Sequence, residues 1–163
     1  MSQRRRPAGG HAAQREGRRL ALSAIFEADF GQVTPGRALE RRIDDEGATD
    51  EAAAHARLVV AAVVAHRDTI DAQITLAAPQ YPVTQLGRID RALLRCALGE
   101  LLHCPTTPTR VAIAEWVNLA RTYSGEPARR LLNGVLGRVA SDHVNEGGGD
   151  RHTGGSTGDS FDV

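Results

Sequence analysis

Three arginines near the start of the chain, Arg15, Arg18 and Arg19, are spaced i, i+3 and i+4. On a helix that spacing sets their guanidinium groups on one side. Arg4, Arg5 and Arg6 extend the cluster on a stretch punctuated by Pro7, Gly9 and Gly10. A guanidinium fork matches phosphate oxygens, and each phosphate contact releases condensed counterions, so binding strengthens at low salt. The chemistry on offer is therefore polyanion binding. Only Glu16 opposes these arginines within the first nineteen residues, while from Asp142 onward five acids face Arg151 alone. A basic end on a chain of zero net charge suggests a polyanionic partner. The same composition also suits a solubilising basic tail, and phosphate contacts alone carry little sequence preference. Every basic residue is arginine and none is lysine, a bias that a G+C-rich genome would produce, so the clustering is the informative feature.

No other constellation competes with it. The glycine runs at 9–10 and 147–149 lie in unstructured-looking segments and match no phosphate-cradling loop. The histidines His11, His55, His66, His103, His143 and His152 form no HExxH pair. His103 beside Cys104 reads as a histidine at a helix C-terminus next to a small buried thiol rather than half a metal site. No serine sits in a nucleophile-elbow context, and carboxylates such as Asp44, Asp45 and Glu46 occupy solvated helical positions. Neither catalysis nor a metal or cofactor is expected.

The elements that must position the arginines are helices. Alanine and leucine dominate, and Phe26, Phe30, Tyr81, Trp116, Tyr123 and Phe161 are the only aromatic residues, a balance that favours helix over strand. A first helix is predicted from about His11 to a stop at Gly31, with Leu22, Ile25 and Phe26 on its apolar face. A short helix around Pro35–Glu46 follows. Thr49 or Asp50 caps a third running to about His66, and Asp68–Ala78 continues until Pro79 and Pro82. Leu58–Val64 could be read as a strand, but its periodic, alanine-rich context favours a buried helix. Leu86–His103 is the next helix, with Asp90 near its start where the dipole favours an acid; Asp90, Arg91, Arg95 and Glu100 alternate in sign along it. Pro108, with Thr107 as cap, opens a helix to Tyr123, and Pro127 opens the last. Within that last helix Gly134 suggests a close helix approach and Asn133 an inward side chain bonding a neighbouring helix end, the alternative for Asn133 being direct ligand contact.

Short turns between wide apolar faces give an all-α helical bundle of about seven helices, divided at the proline joint 79–82. Residues 1–10 are expected as a disordered basic arm, 11–140 as the folded domain and 141–163 as a disordered acidic, glycine-rich tail. The start lacks a secretory apolar segment and no run approaches membrane length. Cys96 and Cys104 fit reduced thiols, so the cytoplasm is the expected location, with no membrane partner.

Three stretches together resemble the NusB family of transcription antitermination factors. They are Arg18-Arg19-Leu-Ala-Leu-Ser-Ala-Ile-Phe26-Glu, then Ile89-Asp90-Arg91 through Arg95 to Glu100-Leu-Leu, and Pro108 to Arg121 followed by Leu131-Leu-Asn133-Gly134-Val-Leu136. The likeness covers roughly residues 11–140. It implies two three-helix subdomains, no enzymatic activity, and a pairing with the ribosomal protein NusE to bind boxA-type single-stranded RNA. It also implies a place in the RNA polymerase antitermination complex that supports ribosomal RNA synthesis.

Carried over, Arg15 and Arg18 match the basic residues of an RNA-contacting first helix, with Arg19 adjacent. Phe26, Asp90 and Leu131 match positions on or near the RNA and NusE surface, Phe26 offering a stacking face. The alternatives are a homodimeric interaction protein, since some members of the family self-associate, and an accessory RNA-binding subunit of a ribosomal RNA methyltransferase. The chain departs from the family at Gly99, where an aromatic residue is usual and the gap either loosens the core or is filled by Trp116. It departs again at Ala114 for asparagine, Leu131 for phenylalanine, and Gln14 and Glu16 at frequently basic positions.

Overall fold

The computed structural model describes residues 10–148. Within them the chain is all-α, with six helices: α1 (Gly10–Ala28), α2 (Pro35–Glu46), α3 (Asp50–Ala77), α4 (Arg88–His103), α5 (Thr109–Tyr123) and α6 (Glu126–Gly148), plus a 3₁₀ turn at Val83–Gln85. The count is six against an expected seven because the segments before and after His66 run together as one 28-residue element, kinked where the break was expected. His66 itself is bent out of helical geometry (φ −123°, ψ 21°). At that bend its ring stacks on His103 from the end of α4, centroids 3.6 Å apart and planes within 10°.

Local chemistry explains most boundaries. Gly31 adopts φ +82°, the left-handed geometry that stops α1. Thr34 and Thr49 cap α2 and α3, accepting hydrogen bonds from the Arg37 and Ala52 amides, and Gly47 closes α2 in the left-handed region. Two expectations change. Pro108 sits at the N-cap of α5, and Thr107 makes no capping bond; its hydroxyl is buried without a partner. The last helix also runs past residue 140 to Gly148, so the boundary expected at 141 falls inside α6. The segment from Ser141 contains no proline, and extending an existing helix is far easier than nucleating one even where the side chains stay exposed.

The core runs through all six helices. Leu20, Leu22 and Ile25 of α1 and Leu39 of α2 meet Val59, Val60 and Val63 of α3. Leu93, Leu94 and Leu98 of α4, Trp116 of α5, and Leu132 and Leu136 of α6 complete it. Helix α3 packs on α1, α2 and α4, and α4 packs on α1, α3, α5 and α6, so the two halves share a continuous interior. The gap expected at Gly99 is closed by α3: a Cβ there would stand 3.0 Å from Val63 Cγ2 and 3.6 Å from the Ala62 Cβ. The three atoms nearest to such a Cβ all belong to α3, none to Trp116.

The reading of Asn133 and Gly134 is overturned. Both are exposed, and a Cβ at Gly134 would meet nothing within 4 Å. Nothing packs there to demand a glycine, so Gly134→Ala is expected to stabilise the fold by about 0.5–1 kcal/mol through helix propensity and a less flexible unfolded chain. Urea denaturation would show a higher midpoint; a lower one would reveal a constraint on this backbone.

Candidate nucleic-acid and partner interface

Helical spacing does place the α1 arginines near one another, but the fold treats them differently. Arg15 is exposed (68%), and its Nε donates to both carboxylate oxygens of Glu115 on α5 at 3.1 Å. Arg19, about one-third exposed, grips Glu16 one turn back at 2.5 and 3.1 Å and also bonds Glu46 at the end of α2. Arg19's hydrogen bond holds the Glu16 carboxyl below the usual carboxylate range despite partial burial, and the two acids raise the arginine further still. Arg4, Arg5 and Arg6 lie outside the described residues.

Arg18 is corrected. It is 1% exposed, turned inward where α1 crosses α3 and α4, and its Nε donates to both oxygens of Glu100 at 2.9 and 3.0 Å. Glu100 is fully buried and also bonds His55 Nε2 on α3 and Trp116 Nε1 on α5, the latter at 3.0 Å. Burial pushes the Glu100 carboxyl up, but hydrogen bonds from His55 and Arg18 outweigh it and leave the carboxyl below its ordinary value. Glu100 therefore ties four helices together, and Arg18, held against it, has no surface with which to meet a phosphate.

Phe26 is half-buried and packs edge-to-face on Phe30 (centroids 5.4 Å apart, planes at 84°). Phe30 is the more accessible of the two at 51%, and the Arg88 guanidinium lies over its ring at 4.1 Å. Nearby, Asp29 bonds Arg91, and Arg95 makes a two-pronged pair with Asp71 at 2.9 Å. The sign alternation along α4 thus serves three directions. Arg91 and Arg95 clamp the ends of α1 and α3, Glu100 points into the core, and Asp90 faces outward, accepting from Ser124 Oγ at 2.5 Å.

Asp90 and Leu131 do come together. They line one open groove of about 520 Å³ between the end of α3 and the face of α6. Leu131 and Val135 supply apolar surface, while Tyr81, Arg130 and Arg138 add aromatic and cationic edges. The exposed Gly134 lies in this groove, and Arg138 donates to the Ala77 carbonyl at 2.8 Å, fixing α6 to the end of α3. Such a groove, apolar with a few charged groups at its edge, suits a protein or peptide segment. Among the described residues no helix is long and apolar enough to cross a membrane. Cys96 and Cys104 are free and buried, and burial raises both thiols, Cys104 to about 11.

Sequence reasoning missed the Glu100 hub and the tight crossing at Gly17. A signal for the first existed: Leu93, Ala97 and Glu100 fall at i, i+4 and i+7, so the acid lies on the apolar stripe and demands a buried partner.

The NusB family model matches residues 15–141. The transcription antitermination protein NusB of Heliobacterium modesticaldum is 38% identical over 128 residues, covering 78% of this chain and 62% of that protein. A structure of T. maritima NusB superposes with a TM-score of 0.73 at 28% identity, covering 79% of this chain and 91% of that one. The same fold occurs in a complex of antitermination factors NusB and NusE with double-stranded RNA, with a TM-score of 0.72 at 22% identity, covering 80% and 98% of the two chains.

Proposed function

The chain belongs to the NusB family, and from that premise we propose that it binds boxA-type single-stranded RNA together with a NusE-like ribosomal protein. In this reading it supports transcription of ribosomal RNA within the RNA polymerase antitermination complex and performs no covalent chemistry of its own. The observation that carries the reading is the pairing of two surfaces on one rigid scaffold. Arg15 and Arg19 on α1 offer phosphate contacts, and the groove holding Asp90 and Leu131 offers an apolar, charge-edged seat for the protein partner. Phe26 and its neighbour Phe30 supply aromatic surface at the far end of α1, roughly 16 Å from Arg15 at 1.5 Å per residue. Arg4, Arg5 and Arg6 add an electrostatic supplement from the segment before α1.

The double variant Arg15→Ala with Arg19→Ala is expected to weaken RNA binding about tenfold at low salt. It should also flatten the dependence of affinity on salt by roughly 1.4 logarithmic units per logarithm of salt, as two phosphate contacts to a single strand are lost. Fluorescence anisotropy with a labelled boxA-type RNA, with and without NusE, checks both. Unchanged affinity and slope would remove α1 from the RNA surface, while loss of NusE capture by Leu131→Asp would independently support the groove.

A further inference from the structure

The exposed arginines of α1 are not free. Arg15 and Arg19 face three carboxylates: Glu115, Glu16 and Glu46. Two of the three come from other helices, so the tertiary fold itself carries them to the arginine face. Glu46 is the last residue of α2, where the helix dipole disfavours an acid. Its favourable contacts are Arg19 and, at 3.9 Å, Arg42. Glu115 is only 19% exposed and meets Arg15 with both oxygens equidistant. A carboxylate held this way by a guanidinium occupies the place a phosphate oxygen would take.

We propose that Glu46 and Glu115 are built-in competitors for RNA phosphate, setting the affinity of the α1 face by occupying Arg19, alongside its own-helix partner Glu16, and Arg15 until RNA displaces them. The inference rests on the reading that α1 contacts RNA. Each phosphate that arrives must exchange with a carboxylate already in place. A lone or brief contact therefore gains little, while an RNA held by several contacts at once, as with a bound protein partner, can displace both acids together. The competitors thus favour RNA delivered in the complex over stray polyanions.

The test is anisotropy titration of the full chain, with NusE, against a labelled boxA-type RNA at about 0.1 M and about 0.4 M salt. Glu46→Gln and Glu115→Gln are each expected to tighten binding about three- to tenfold at the lower salt and less at the higher. The gain from Glu115→Gln should vanish in an Arg15→Ala background, and that from Glu46→Gln in Arg19→Ala. If the glutamine variants leave affinity unchanged or weaken it while the two arginine variants weaken it, the competitor role fails and the RNA face stands. A gain that persists in the arginine-less backgrounds also overturns the proposal, since general repulsion would then explain it. If neither set of variants alters RNA affinity, the RNA reading of α1 itself fails and takes this inference with it. All variants alter exposed or partly exposed side chains, and matching thermal melts establish that their folds are comparable.

Discussion

Glu100→Ala is expected to destabilise the protein by roughly 3–5 kcal/mol, a large share of the stability of an ordinary domain. The carboxylate is fully buried and takes hydrogen bonds from Arg18, His55 and Trp116 on three different helices. Removing it leaves the Arg18 guanidinium, itself 1% exposed, as an uncompensated charge in the core. Glu100→Gln keeps the volume and costs less, and its more useful readout is pH. The folded carboxyl lies below its ordinary value because His55 and Arg18 overcome the effect of burial. Its contribution is complete above the range near 4.3 where the unfolded carboxyl titrates, and is lost as pH falls through the lower folded value. The acid limb of stability should therefore flatten in Glu100→Gln. Urea midpoints followed by Trp116 fluorescence measure both effects, and an alanine variant within about 1 kcal/mol of the parent would show that the core tolerates a bare arginine.

Gly17→Val should cost at least about 3 kcal/mol, for a reason that owes nothing to charge. A Cβ at this position would stand 2.8 Å from the Ala52 carbonyl oxygen, 2.9 Å from the His55 Cβ and 3.1 Å from the Ala56 amide nitrogen. Two of these three neighbours are backbone atoms, so no rotamer change relieves the clash, and α1 must move away from α3 toward the usual 3.5–4.0 Å separation. Gly17→Ala forces a smaller shift and recovers up to about 1 kcal/mol of helix propensity, so it should fall between the parent and the valine variant. Because His55 both flanks Gly17 and bonds Glu100, the valine and Glu100→Gln changes should be less than additive in a double-mutant cycle. Urea denaturation decides the matter, and a valine variant as stable as the parent would mean that α1 and α3 separate freely.

These two residues mark where the sequence stops being readable. Periodicity located every helix and the division near Pro79 and Pro82, because apolar spacing and proline are local signals. It also placed a break in α3 close to His66, where the structure has a kink rather than a full interruption. Arg15, Arg18 and Arg19 shared one side by spacing alone. Only the crossing of α1 over α3 and α4 decides that Arg18 enters the core while its neighbours stay outside. The same limit applies to the glycines. Gly17 sits under a neighbouring backbone and Gly134 under open solvent, yet both read as glycines interrupting a helical pattern. Asp90 and Leu131 meet in one groove, which was legible only through the family resemblance, since forty residues of chain separate them.

The buried cysteines give the molecule two internal reporters of opening. Cys96 is sealed in the middle of α4 and Cys104 at its end, both with thiols raised by burial. Only thiolate reacts, so a thiol reagent in solution must wait for the helix to open before it can modify either. Modification therefore depends on how much of the time the helix is open as well as on the sulfur chemistry. Cys104, at a helix terminus, samples fraying, whereas Cys96 samples separation of the whole interior. Two labels on one helix thus report on two different openings of the folded chain.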